Sequence, residues 1–150
     1  MWKLIPHENP SKEEPVVNEL LTPEDAESVS IGGVEVSFRL SGRETDGAYA
    51  VLEFLLEPGR LIPPHAHCRE HEVSYVLEGE IGLRIGAEEL TAKAGCVVVK
   101  RPQIPHAWWN TTASRARVLE VISPGRVRTL LSRTGRHPRI PTLSGTAVGR

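Results

Sequence analysis

The sequence has few of the features that mark secreted or membrane proteins. Its 150 residues include only two cysteines, Cys68 and Cys96, which are too few for a disulfide framework and lack Cys-x-x-Cys spacing, so we interpret both as reduced thiols. No apolar run has the length of a signal peptide or of a membrane span. These absences predict a cytoplasmic protein that does not enter the membrane.

The sequence also lacks an excess of charge of either sign. Lys and Arg number 18 against 19 Asp and Glu, which gives a formal net charge of −1. This balance, and the absence of a helix-turn-helix or comparable module, argue against a nucleic-acid partner. The length suits one domain with a real core, so we expect the partner to be a small molecule.

Helical periodicity is scarce between Ile31 and Ile122, where apolar residues recur with period two instead. The first predicted strand carries Val34, Val36, Phe38 and Leu40 on one face. Further strands are predicted at 48–56, 81–85, 90–92, 96–100, 106–110 and 116–122. Short strands separated by Gly and Pro turns predict an all-β sandwich or barrel.

The two ends of the chain differ from this middle part. Residues 1–29 are predicted to form an acidic arm with one short turn capped by Thr22, and residues 30–123 the barrel. Residues 124–150 are predicted to form a short helix and a basic tail with six arginines and no acidic residue. The tail is either a solvated segment or an electrostatic clasp onto the arm of the same or a partner chain.

Four side chains suited to metal binding are His65, His67, Glu72 and His106. If residues 65–67 are extended, the two-residue repeat of a strand puts both imidazoles on one face. Imidazole and carboxylate together suit Fe, Mn, Ni, Cu or Zn, and four such ligands leave positions open for water or substrate. Burying these four side chains without a metal ion would cost free energy.

The segment from Gly59 to Gly79 resembles the first motif of the cupin superfamily. That motif reads Gly-x5-His-x-His-x3-4-Glu-x6-Gly, and Gly59, His65, His67, Glu72 and Gly79 match it at every position. Glu70 and His71 also carry groups that can bind a metal, but only Glu72 is both a carboxylate and at a distance from His67 that the motif allows.

The second cupin motif, Gly-x5-Pro-x-Gly-x2-His-x3-Asn, is matched less completely. Gly95, His106 and Asn110 fit, but Arg101 stands in place of the proline and Gln103 in place of the second glycine. The resemblance covers roughly residues 31–123 and is strongest to single-domain, quercetin dioxygenase-like cupins. It implies a double-stranded β-helix, or jelly-roll barrel, in which His65, His67, Glu72 and His106 hold one divalent transition metal ion per subunit.

Strand parity gives further candidates. If Glu72 points into the barrel, Ser74 does so too, while Val73, Tyr75 and Leu77 point out and need a cover, which predicts a homodimer. The inward-facing residues proposed to bind substrate are Ser74, Ile81, Leu83 and Trp108. For Trp108, a role as core filler is nearly as good an interpretation.

Three functions are compatible with these observations. The first is a metal-dependent, dioxygenase-type oxygenase for a small organic substrate, aromatic compounds included, with Glu72 as both ligand and catalytic proton acceptor. The second is a non-oxidative metal-dependent isomerase, lyase or cyclase. The third is a protein that binds a small ligand without catalysis. We favour the oxygenase.

Overall fold

Ten antiparallel strands make up nearly all of the regular structure in the computed structural model of the protein, which describes residues 20–125. The predicted C-terminal helix lies outside the described residues, as do residues 1–19 of the predicted arm. The strands are β1 (Glu27–Ile31), β2 (Val34–Leu40), β3 (Ala50–Leu56), β4 (Leu61–His65), β5 (His71–Glu78), β6 (Glu80–Ile85), β7 (Glu88–Lys93), β8 (Val97–Lys100), β9 (His106–Trp109) and β10 (Ala116–Ser123).

The strands form two sheets that share one core. The larger sheet has the order β1-β2-β3-β10-β5-β8 and the smaller one β4-β9-β6-β7. Apolar side chains of both sheets, among them Leu52, Val76 and Val118 of the larger and Leu83 and Trp108 of the smaller, lie in one buried cluster. The prediction of an all-β jelly-roll barrel is therefore confirmed.

Alternation in the sequence corresponds to alternation in burial. Along β5, Glu72, Ser74 and Val76 are buried while Tyr75 is exposed, as predicted from strand parity. His106 and Trp108 on β9 are likewise buried. The buried side chains of these two strands therefore place polar and aromatic groups in the barrel interior.

The first described elements differ in part from the prediction. The capped turn exists as a 3₁₀ turn at Pro23–Asp25, in which the Thr22 backbone N–H and hydroxyl both donate to the Asp25 carboxylate, at 2.7 and 2.8 Å. Directly after it, β1 begins at Glu27, within the stretch predicted to be an irregular arm. This strand lies at a sheet edge and has no fully buried residue, so its sequence shows no clear alternation.

The strand that carries the first histidine is shorter than we expected. β4 ends at His65, and His67 lies in the following loop rather than in a continuous strand. β4 includes Pro63 and Pro64, which have no backbone N–H to donate to a neighbouring strand. It lies at the edge of the smaller sheet and pairs only with β9. The strand pairing therefore ends two residues before His67, although the His65 and His67 side chains still lie in the same cluster.

Candidate metal centre

His65, His67, Glu72 and His106 converge at one end of the barrel. His65 ends β4 and is paired across the sheet with His106, the first residue of β9. Glu72 comes from β5 in the opposite sheet, and His67 from the loop between β4 and β5. One ligand atom from each residue lies within 4.8 Å of all the others. The structure thus brings together all four residues proposed as ligands from the sequence.

Two of the imidazoles are oriented by backbone carbonyls. His65 Nδ1 lies 2.8 Å from the carbonyl oxygen of Pro63, and His106 Nδ1 lies 3.1 Å from that of Ile104. Because a carbonyl oxygen can only accept, each Nδ1 carries a proton, so in its neutral form each ring has its lone pair on Nε2. This tautomer is the one that presents Nε2 to a metal ion.

The Nε2 atom of His106 is a buried nitrogen with no hydrogen-bond partner among residues 20–125. Its nearest acidic oxygen, Glu72 Oε2, is 3.6 Å away, which is too far for a hydrogen bond. A buried polar atom without a partner is costly, and a metal ion would satisfy it. Two nitrogen ligands on opposite sides of one ion lie about 4.2 Å apart, so the cluster needs only small side-chain shifts to bind one. The residues therefore fit a metal ion.

Glu72 uses its two carboxylate oxygens differently. Oε2 faces the histidines, 2.7 Å from His67 Nε2, whereas Oε1 accepts a hydrogen bond from the Lys100 ammonium. Burial acts to raise the pKa of this carboxyl, but the imidazoles of His106 and His67 and the charge of Lys100 outweigh it and hold the pKa below its usual value. Glu72 is therefore a carboxylate at neutral pH, ready to bind a cation.

His67 and His65 have different environments. The hydrogen bond to Glu72 raises the pKa of His67, while burial lowers the pKa of His65, helped by the neighbouring His106. A lowered pKa keeps the His65 imidazole neutral, as metal binding requires. At His67, a metal ion and a proton would compete for Nε2.

Lys100 and Glu120 extend the site in a way that the sequence did not lead us to expect. The Lys100 ammonium also donates to Glu120 Oε1 at 2.5 Å, and the Ser74 hydroxyl donates to the same oxygen at 2.8 Å. Burial and the charge of Lys100 act in opposite directions on Glu120, and the net effect raises its pKa to about 7. One sequence signal was available, because Glu120 interrupts the apolar inward series of Ala116, Val118 and Ile122.

The residues proposed to bind substrate lie at different depths. Trp108 follows His106 by two residues on β9, so its side chain lies about 6.6 Å further along the same strand face, one layer of side chains below His106. Leu83 is the cross-strand partner of Trp108 and belongs to the same layer. Ile81 lies a further layer down. The metal layer itself is completed by Ile85, paired with His106, which the sequence analysis did not include. Ser74 is buried and engaged with Glu120.

In the loop of the second cupin motif, the backbone of Gln103 is hydrogen-bonded to the loop that carries His67. Gln103, in place of glycine, adopts a left-handed conformation with φ of 66°, and its N–H donates to the His67 carbonyl at 2.7 Å. Asn110 is fully buried, with its amide nitrogen 3.1 Å from the Leu56 carbonyl oxygen and 2.8 Å from that of Ser114. The motif residues that are not ligands thus hold the loops around the site.

Residues 52–122 match the sequence model of the family described as "Cupin domain". This stretch contains both histidine motifs, all four clustered residues and strands of both sheets. Residues 52–122 therefore form a cupin domain.

Solved structures with the same fold support this assignment. The cupin superposes with a TM-score of 0.63 on a predicted oxalate decarboxylase from Thermotoga maritima, at 26% identity over 70% of this chain and 98% of that one. An RmlC-like cupin from Shewanella frigidimarina gives 0.63 at 22% identity over 74% and 95%. KdgF from Halomonas sp. gives 0.63 at 16% identity over 72% and 96%.

No match to this cupin was found among the curated proteins. Within the part of the chain that the structure describes, no helix is long and apolar enough to cross a membrane.

Proposed function

We propose that this cupin is a metal-dependent, dioxygenase-type oxygenase acting on a small organic substrate, aromatic compounds included. The observation that carries the proposal is the convergence of His65, His67, Glu72 and His106 within 4.8 Å. Three imidazoles and one carboxylate on a six-coordinate ion leave two positions open. A bound Fe, Mn, Ni, Cu or Zn ion would supply a Lewis acid there, with room for a substrate oxygen and O₂.

The side chains around the ligands support an organic substrate. Ile85 lies beside His106, and Leu83 and Trp108 form the layer below, so the surroundings of the open positions include apolar side chains. Such side chains exclude water and favour an apolar or aromatic substrate body. In this proposal Trp108 and Leu83 position the substrate, Ser74 acts through Glu120, and Ile81 supports the layer from below.

Glu72 is proposed first as a ligand through Oε2. For Glu72 also to accept a proton from a substrate hydroxyl, that hydroxyl has to reach Oε2, because Lys100 occupies Oε1. The lowered pKa of Glu72 makes it a weak base, so such a transfer would be favourable only from a hydroxyl acidified by its surroundings.

A second candidate is a non-oxidative, metal-dependent lyase. The buried ammonium of Lys100 beside the ligands is an observation in its favour, since a fixed positive charge stabilises negative charge that develops on a substrate. The similarity to a structure described as a predicted oxalate decarboxylase points in the same direction.

Oxygen dependence distinguishes the two. The purified protein would be analysed for metals, reconstituted with each of the five candidate ions, and supplied with small hydroxylated aromatic compounds and small carboxylic acids. We expect O₂ consumption in step with substrate loss, absent in His106→Ala and retained in His71→Ala, whose imidazole is exposed. Turnover that is unchanged without O₂ would reject the oxygenase in favour of the lyase.

We also propose that the cupin is a homodimer. The outer face of β5, β8 and β10 carries Tyr75, Val97, Val99 and Val121, which are 42%, 60%, 54% and 37% exposed in the single chain. Adjacent exposed apolar residues of this kind are typical of an interface. A second copy of the chain would cover them through an isologous contact.

A further inference from the structure

Lys100 is a buried lysine that the proposed reaction does not use. It is 3% exposed, and its ammonium is bound by Glu72 and Glu120 and lies 5.9 Å from the centre of the Trp108 ring. A buried ammonium costs several kcal/mol unless it is well paired, and an apolar side chain of the same size would often be no less stable. Stability alone is therefore a weak reason for a lysine at this position.

The sheet fixes where this ammonium lies. β5 is hydrogen-bonded to β8 on one side and to β10 on the other, with Glu72 opposite Lys100 and Ser74 opposite Glu120. Glu120 is in turn held by the Ser74 hydroxyl. Three adjacent strands of the larger sheet thus hold the Lys100 ammonium against the side of Glu72 that faces away from the histidines.

We propose that Lys100 is a positioning residue that restricts Glu72 to binding a metal ion through one oxygen. Its ammonium takes up Oε1, so only Oε2, which faces His67, is left for the ion. This inference rests on the metal site proposed above and not on the reaction.

Two consequences follow from this arrangement. A carboxylate that binds through both oxygens occupies two positions on the ion, so holding Oε1 keeps one more position open for substrate. The positive charge next to the carboxylate also withdraws negative charge from Oε2 and repels the ion. Lys100 therefore weakens metal binding in exchange for an open coordination position. A purely structural lysine would do the opposite, since its loss would loosen the site.

The test uses Co²⁺ as the probe, because its visible absorption reports coordination number. In Lys100→Met/Glu120→Gln, which removes both charges and leaves no unpaired buried ion, we expect Co²⁺ to bind about tenfold more tightly, a size typical for residues that contact metal ligands. Its visible spectrum should change as the second oxygen of Glu72 displaces a water from the ion. Glu120→Gln alone keeps an oxygen for Lys100, so we expect the wild-type Co²⁺ spectrum, with weaker binding because a nearby negative charge is lost. Lys93→Met, which removes a lysine that is 76% exposed, is the matched control.

Weaker or unchanged Co²⁺ binding with an unchanged spectrum in the double variant would overturn the proposal and leave the metal site intact. A wild type that binds no Co²⁺ would overturn the metal site as well. Should the double variant not fold, a crystal structure of the Co²⁺-loaded wild type decides. We expect Glu72 Oε2 about 2.1 Å from the ion and Oε1 on Lys100, whereas both oxygens on the ion would refute the inference.

Discussion

Each ligand residue of the candidate metal centre is held by a partner outside the set of four. His65 and His106 are held by carbonyls of their own chain segments, and Glu72 by Lys100, while the backbone carbonyl of His67 accepts from Gln103. Such supports reduce the side-chain entropy that is lost when a metal binds. The ligands are therefore largely arranged before an ion arrives.

Removal of one imidazole should abolish tight metal binding. We expect His65→Ala and His106→Ala to lose bound metal on purification and to lose the stabilisation that the wild type gains from added Mn²⁺, about 2.7 kcal/mol at a free concentration 100 times the dissociation constant. Elemental analysis and thermal unfolding with and without Mn²⁺ measure both effects. His71→Ala is the matched control, and full metal occupancy in either ligand variant would contradict the assignment.

A second residue-level effect concerns Glu53 on the outer face of β3. Its carboxylate, 13% exposed, accepts from Arg39 at 2.9 and 3.0 Å and from Arg117. Burial acts to raise the pKa of Glu53, but Arg117 and Arg39 outweigh it and lower the pKa below 4.5. A lowered folded-state pKa stabilises the protein fully above the unfolded-state value and loses that contribution as the pH falls through the folded-state value.

We expect Glu53→Gln to lower the free energy of unfolding by about 1 kcal/mol at pH 7, and the difference to shrink as the pH falls below 4.5. Urea unfolding at pH 7 and at acid pH measures it. Glu57→Gln, which breaks an exposed pair with Arg115, serves as control and should cost no more than about 0.5 kcal/mol. A pH-independent loss in Glu53→Gln would show that its hydrogen bonds matter but its charge does not.

At the scale of elements, alternation predicted the strands that bury one face. β2, β5 and β10 place apolar or functional residues at every second position, and the sequence showed this directly. β1 and β4 were not predicted as separate strands, because neither contains a fully buried residue that would impose a pattern on its sequence. Their pairing is a property of the tertiary structure.

The site was predicted unevenly for a related reason. The four candidate ligands follow a compact spacing, so the cupin motifs were sufficient to predict that these residues cluster. Lys100 and Glu120 contact each other only because β10, β5 and β8 are neighbours in the sheet, and the register of these strands could not be predicted from the sequence. The available signal was Glu120, a charged residue at an inward-facing position, but Lys100 could not be identified as its partner without the strand order.

The loop between β8 and β9 contains a local strain that can be tested. Gln103 has φ of 66°, a conformation that costs a non-glycine residue about 1–2 kcal/mol, partly offset because glycine loses more entropy on folding. We therefore expect Gln103→Gly to raise the free energy of unfolding by about 0.5 kcal/mol and Gln103→Ala to leave it near the wild-type value. Urea denaturation measures this, and destabilisation by Gly would show that the Gln side chain matters more than its backbone.

At the scale of the whole molecule, the proposed dimer interface lies on the larger sheet, outside the barrel. The exposed residues Tyr75, Val97 and Val99 come from neighbouring strands and are mostly apolar, so their burial would be driven by the hydrophobic effect. Attraction between the predicted acidic arm and basic tail would be screened, with a Debye length of about 8 Å at physiological salt. The two contributions therefore respond differently to salt.

We expect a dimer that persists in high salt and weakens in Tyr75→Glu, which would bury a charge at the interface. Leu90→Glu is the control, because Leu90 is similarly exposed at 46% but belongs to the smaller sheet. Light scattering at micromolar concentration gives the mass of each variant. A wild-type monomer in low salt would reject the dimer, and a dimer that dissociates on adding salt alone would place the binding energy in the charged termini.

The position of Trp108 has a practical consequence. Its indole lies one layer below His106, in edge-to-face contact with Phe54 at 5.4 Å and close to Lys100. An indole this near to a paramagnetic ion such as Cu²⁺ or Mn²⁺ loses fluorescence when the ion arrives. With Trp2 and Trp109 replaced by Phe, the protein would carry a single built-in optical reporter. Ion occupancy could then be followed in real time, at submicromolar concentrations, without an attached dye.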